Sequence, residues 1–163
     1  MNKFLCCLGL ALLTQACFYT EVSEPEIRSA YSPISYSRSD LDKSVQLQDA
    51  RNIENSGKIY VFNHLLFVGE KRKGFHVFDN TNPAEPQKIK FLQVLGCTDV
   101  AIRNNVLFFN QATDLITVEY SFGSDSITLL KRVANVFPEI LPPDGIPSYS
   151  HPDSVIIDWQ RNF

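Results

Sequence analysis

The chain is poor in the signatures that usually carry chemistry. It holds no glycine-rich nucleotide fingerprint, no HExxH, no CxxC and no GxSxG elbow. Only three histidines occur, His64, His76 and His151. No two of them share a spacing that a helix or strand would turn into a metal site. No catalytic residue, metal or cofactor is therefore expected. Basic residues are not in excess: 15 Lys and Arg stand against 18 Asp and Glu, a net charge of −3. That balance excludes a general nucleic-acid binder, which would carry a basic surface. The apolar stretch Phe4–Leu13 has ten residues, about half of the ~20 that cross a bilayer.

A disulfide framework is missing as well. Of four cysteines, Cys6 and Cys7 lie in the apolar leader, Cys17 at its end, and Cys97 alone in the remainder. Met1–Ala16 reads as a signal peptide, with Lys3 as its positive n-region. Ala16-Cys17 supplies what a lipoprotein signal peptidase needs, a small residue followed by a thiol that carries diacylglycerol. Thr14 departs from the usual Leu of such a box, and the competing reading is an ordinary secretory signal cut near Ala16. Lipidation at Cys17 is the expectation, because an unpaired Cys at this place otherwise lacks a role. The membrane would then be reached through a lipid anchor. Cys97 reads as a small, reduced, apolar residue at a strand start.

Three parts follow from this reading: a lipoprotein signal peptide at 1–16, an acylated flexible tether at 17–35, and a β-repeat domain at 36–163. The tether is marked by Glu21, Glu24, Glu26, Pro25 and Pro33 with little apolar periodicity. An acidic patch after a lipidated Cys resembles the surface-export signal of some Gram-negative lipoproteins; a solvated linker explains it equally well. Ser37 followed by Asp40 resembles a capping box, so Ser37–Leu47 should hold one short helix seated by Leu41, Val45 and Leu47.

The domain is organised around two copies of one unit, Gly57–Val94 and Cys97–Val133. The first has apolar runs at Lys58–Phe62, Leu65–Gly69, Phe75–Asp79 and Lys88–Val94. The second has them at Asp99–Arg103, Val106–Phe109, Leu115–Tyr120 and Ile127–Val133. Val, Ile, Phe, Leu and Tyr dominate, and the runs are too short for typical helices. Asn63-His64 and Asn104-Asn105 separate the first two runs of each copy and suit the positive φ of tight hairpins. A period near 40 residues is that of four-stranded propeller blades. Several runs are apolar on both faces, so the sheets should pack on each other. Ala134–Tyr149, with Pro138, Pro142, Pro143 and Pro147, should form an irregular strap. It would need Val136, Phe137, Ile140 and Leu141 packed on the sheets. Val155–Trp159 should add a last strand to a sheet edge, with Trp159 on the sheets.

Phe75-His76-Val77-Phe78-Asp79 after Gly74, with Asn80-Thr81-Asn82-Pro83 and Pro86 behind it, resembles the LVIVD repeat of bacterial β-propeller-like proteins. Leu115-Ile116-Thr117-Val118-Glu119 after Asp114 resembles a weaker second copy. Ser37–Leu41, Asn135–Glu139 and Pro143-Asp144-Gly145 are similar to flanking motifs of the short two-repeat lipoproteins of that family. The resemblance covers roughly Ser32–Trp159. It implies a lipid-anchored protein of the cell outer membrane and carries no activity with it. The fold expected is all-β: two antiparallel four-stranded blade-like sheets packed together, with one short N-terminal helix. Two repeats cannot close a ring of four to eight blades. The chain is then either a two-blade sandwich or part of a ring between chains.

Glu70-Lys71-Arg72-Lys73 is the binding candidate, a charged loop that would meet phosphate, an anionic glycan or an envelope protein; a solvated hairpin tip is its plainer explanation. Asp79, Asp99, Asp114 and Glu119 lie at strand ends, where carboxylates cap turns unless a cleft gathers them for acid–base work. The expectation is a non-enzymatic binding or scaffold module. The alternative is an envelope hydrolase or glycan-binding accessory with a site between the sheets.

Overall fold

The computed structural model describes residues 28–121, 124–147 and 153–163. The signal peptide, Cys17, His151 and the first part of the expected tether lie outside these residues.

The fold is mainly β. Strand β1 (Tyr31–Ser37) is followed by helix α1 (Arg38–Lys43) and strand β2 (Gln46–Asp49). The first repeat supplies β3 (Ser56–Phe62), β4 (Leu65–Glu70), β5 (Gly74–Asp79) and β6 (Gln87–Gln93). The second supplies β7 (Cys97–Arg103), β8 (Val106–Gln111), β9 (Asp114–Ser121) and β10 (Ser126–Val133). Strand β11 (Ser154–Arg161) comes last. Three antiparallel sheets result, ordered β2-β6-β5-β4-β3, β10-β9-β8-β7 and β1-β11.

The eight repeat strands fall where the apolar runs place them. Asn63, Asn104 and Asn105 have φ of 54°, 49° and 63°, the left-handed values that tight hairpins demand. The two units also agree irregularity for irregularity. A bulge interrupts β3 against β4 between Ser56 and Ile59, and β7 against β8 between Cys97 and Val100. A second bulge skips Ile89 opposite Val77 and Phe78, and Leu130 opposite Thr117 and Val118. Ser56 thus corresponds to Cys97, Ile59 to Val100 and Glu70 to Gln111; Gly74 corresponds to Asp114, and Phe78 to Val118.

One core joins the two larger sheets. Leu65, Phe67, Phe75, Val77 and Leu92 meet Val100, Leu107, Phe109, Ile116 and Val118, all buried. Phe75 and Phe109 have ring centroids 5.3 Å apart, a separation typical of attractive aromatic pairs. The inward positions are not equivalent in the two units. Phe75 and Val77 face inward in the first; in the second it is Ile116 and Val118, the counterparts of His76 and Phe78. Side chains alternate along a strand, so the sheets stack with the back of one on the front of the next.

Four expectations need correction. The first sheet has five strands rather than four, because β2 pairs with β6 through Leu47↔Leu92 and Gln48↔Phe91. Leu47 therefore belongs to a strand and not to the helix, which ends at Lys43. The tether does not extend to Ser35: β1 begins at Tyr31 and pairs with β11 from Tyr31↔Arg161 to Ser37↔Ser154. Strand β11 accordingly forms a separate two-stranded sheet with β1 instead of extending a repeat sheet. Its Val155 and Ile157 bury Leu41 of α1 together with Ala112. Ser37 caps α1 as anticipated, its hydroxyl accepting the Asp40 amide at 3.1 Å.

The strap is held by polar contacts more than by apolar packing. Val136, Phe137 and Leu141 remain exposed. The Phe137 amide donates to the Thr113 carbonyl at 2.9 Å, and the half-buried Trp159 donates its indole N–H to the Ile140 carbonyl at 3.1 Å. Asp144, in the expected turn, accepts the Ala30 amide at 2.8 Å and the Ser29 hydroxyl at 3.0 Å. The strap thus grips the chain just before β1.

Candidate functional site

The charged run Glu70-Lys71-Arg72-Lys73 joins β4 to β5, and its residues have separate roles. Glu70 is buried, with 2% exposure. Its carboxylate accepts the amides of Glu54 at 3.0 Å and Asn55 at 2.6 Å and pairs with His76 Nε2 at 2.9 Å. Burial, the largest influence, pushes the Glu70 carboxyl upward. The bonds from His76 and the two amides outweigh it and hold the group below the usual carboxylate range. His76 is fully buried with its ring edge on Phe91, centroids 4.9 Å apart. Its Nδ1 has no partner among the described residues. Arg72 adopts φ of 56° and pairs through Nε with Asp158 of β11 at 3.0 Å; its Nη1 is buried and unpartnered among the described residues. Lys73 pairs with Glu54 at 2.5 Å. Lys71 and Lys73 are exposed while Glu70 and Arg72 are not, so half of the run departs from a solvated hairpin tip.

A cleft of about 220 Å³ opens beside this loop at the seam of the two stacked sheets. Its walls include Gly57, Lys58, Lys71, Arg72, Cys97 and Thr98. Lys58 is already paired with Asp99 at 2.6 Å. Asp99 also takes the Tyr60 hydroxyl and accepts its neighbour's amide, Val100, at 2.8 Å. It therefore bridges β3 and β7. Cys97 is a free thiol, 2% exposed, and burial pushes it up to about 12. At neutral pH such a group is a thiol and a poor nucleophile.

Asp114 is the second buried carboxylate, with no exposure. Arg38 Nη1 donates to both of its oxygens at 2.7 Å, and Arg132 Nη1 donates at 2.9 Å. The Asn135 amide adds a bond of 3.2 Å. Burial, again the largest influence, raises this carboxyl; Arg38, the Asn135 amide and Arg132 more than offset it, and the net direction is down. Gln111 extends the network, accepting from Arg132 at 2.6 Å and donating to the Ser44 hydroxyl at 3.0 Å. The two flanking motifs containing Arg38 and Asn135 thus converge on one carboxylate.

The other candidates stay apart. Asp79 caps its turn by accepting the Thr81 amide at 2.9 Å and hydroxyl at 2.6 Å. These bonds lower its carboxyl, and nearby His64 adds a smaller effect in the same direction. Glu119 is exposed. None of four clefts of about 220 to 480 Å³ brings together two of Asp79, Asp99, Asp114 and His64. Among the described residues no three metal-binding side chains cluster, and no helix is long and apolar enough to cross a membrane. The Glu70–His76 pair went unrecognised in the sequence because β5 alternation alone does not say which partner strand places a carboxylate behind His76.

No family model matches this chain, and comparison with curated proteins and with solved structures likewise returns no match.

Proposed function

We propose that this protein is a non-enzymatic binding or scaffold module, anchored by lipid on Cys17 in the cell outer membrane, with two LVIVD-type blades as its body. One observation supports the non-enzymatic reading most directly: three of the four strand-end carboxylates are engaged by their own chain. Asp114 is taken by two arginines, Asp99 by Lys58 and Tyr60, and Asp79 by Thr81. A carboxylate saturated in this way is neither a free base nor a nucleophile. The reading of the leader supports the anchor, since a diacylglycerol thioether and an N-acyl chain supply two membrane signals.

Labelling with palmitate tests the anchor. The parent chain should incorporate label and fractionate with membranes, and Cys17→Ser should be secreted, soluble and unlabelled. Label persisting in Cys17→Ser would overturn the anchor. The second reading, a glycan-binding accessory, draws on the seam cleft with Lys58, Lys71 and Arg72 at its wall. Titration with an anionic oligosaccharide should then perturb these residues, and Lys71→Ala should weaken binding. Hydrolysis of that oligosaccharide by the purified protein would replace both readings with an enzyme.

A further inference from the structure

Corresponding positions of the two repeats have unequal cover. Val100 of β7 is 4% exposed, and its counterpart Ile59 of β3 is 63% exposed. Ile102 packs on the shared core, whereas its counterpart Val61 is 64% exposed. Leu107 and Val118 are buried; their counterparts Leu66 and Phe78 lie half-exposed beside Val61. These are the same positions of the same unit. In the second repeat the first repeat covers them. In the first repeat, residues 50–55 cross part of this face, with Arg51 3.5 Å above Phe91 and Glu54 and Asn55 on Glu70. The half toward the Asn63–His64 turn stays open.

The opposite end of the stack offers the complementary surface. Ala101, Phe108 and Leu115 line an outward cleft of about 480 Å³ on the second sheet. Their counterparts Tyr60, Phe67 and Phe75 are the first-repeat residues that pack inward on the second sheet. The chain therefore exposes a back that a repeat's front covers elsewhere, and a front of the same kind.

We propose that these two outer faces meet between two copies of this chain, front to back, in a ring of four sheets. Four sheets are the smallest number that propellers use. A head-to-tail contact made twice closes and leaves no free face, and it removes an apolar surface of a kind that seldom stays in water without a partner. The proposal is independent of the lipid anchor.

Sedimentation of the mature protein, density-matched for detergent, should give twice the mass of one protomer. Val61→Glu and Ala101→Glu alter exposed side chains, so circular dichroism should be unchanged, and melting should match the parent's when both are diluted to the monomer. Each should weaken self-association by about tenfold or more. An equimolar mixture of the two variants retains one undamaged contact per pair and should associate more tightly than either variant alone. A parent chain that stays monomeric at about 0.1 mM, either variant associating like the parent, or a mixture no tighter than its components would overturn the proposal.

Discussion

Arg38 donates to both carboxylate oxygens of Asp114 at 2.7 Å, joining the start of α1 to the start of β9 across 76 positions of sequence. Asp114 has a second arginine in Arg132, which also holds Asp42 of α1 at 2.7 Å. Asp114→Asn leaves two guanidinium groups without their shared anion. Breaking a buried pair from one side costs roughly 3–5 kcal/mol, and the low end applies here because Arg38 is 41% exposed. Arg38→Ala should cost about 1 kcal/mol, since Arg132 remains. Urea unfolding of the two variants separates these values; equal effects would show that Arg132 contributes little.

Acid should destabilise the fold over a defined window. The carboxyls of Glu70 and Asp114 lie below their ordinary values in the native state. The unfolded chain therefore binds protons first as pH falls. Their contribution is complete above the unfolded value of about 4 and disappears as pH drops through the lower native values. Urea midpoints should change little in this respect between pH 7 and 5 and drop steeply below 4. The acid limb should be shallower in Asp114→Asn, and an identical limb would refute the role given to Asp114.

Gly74 adopts φ of 145°, and a Cβ there would strike the Leu92 carbonyl of β6. Gly74→Ala should cost at least about 2 kcal/mol from the strained backbone and the collision. A melting temperature equal to the parent's would show that β5 and β6 separate readily. The counterpart Asp114 has no positive φ, and the loop before it is one residue shorter.

Alkylation at pH 8 should spare Cys97 in the folded protein and modify it after denaturation, as read by peptide mass mapping. The thiol is buried and raised to about 12, so the thiolate fraction at pH 8 is about one in ten thousand. Rapid modification without denaturant would mean that the seam at Cys97 opens.

Removal of residues 154–163 should lower the melting temperature and expose the helix. It deletes Val155, Ile156 and Ile157, all buried, each contributing roughly 1.5–3 kcal/mol by area, and it leaves Leu41 uncovered. A truncated chain with unchanged melting would make β11 dispensable.

The repeat strands were legible because local pattern decides them: apolar runs of strand length, and asparagines where hairpins need positive φ. The capping of α1 by Ser37 was legible for the same reason. Strands β1 and β2 were not. Tyr31–Ser37 and Gln46–Asp49 are polar or mixed, and each becomes a strand because an edge distant in sequence accepts it. The charged run Glu70–Lys73 reads as one surface feature in sequence. The bulge and hairpin register instead turn Glu70 under residues 54 and 55 and send Arg72 to Asp158. Asp114 stood out as a strand end, but nothing local shows that Arg38 and Arg132 meet there.

The pairing of β1 with β11 sets an order of events during synthesis. Ser32 bonds Asn162 across 130 positions, whereas each repeat strand pairs with a near neighbour in sequence. Hairpins close quickly, and distant contacts wait for the chain that makes them. Until β11 emerges from the ribosome, β1 has no mate, Leu41 has no roof, and only the two larger sheets can assemble. We expect a nascent chain halted once residue 135 has left the exit tunnel to show protected amides in β4, β5, β8 and β9 by hydrogen exchange, while those of β1 exchange freely. Protection of β1 in that halted chain would exclude this order. The clasp between β1 and β11 would then be the step that ends folding and makes it cooperative.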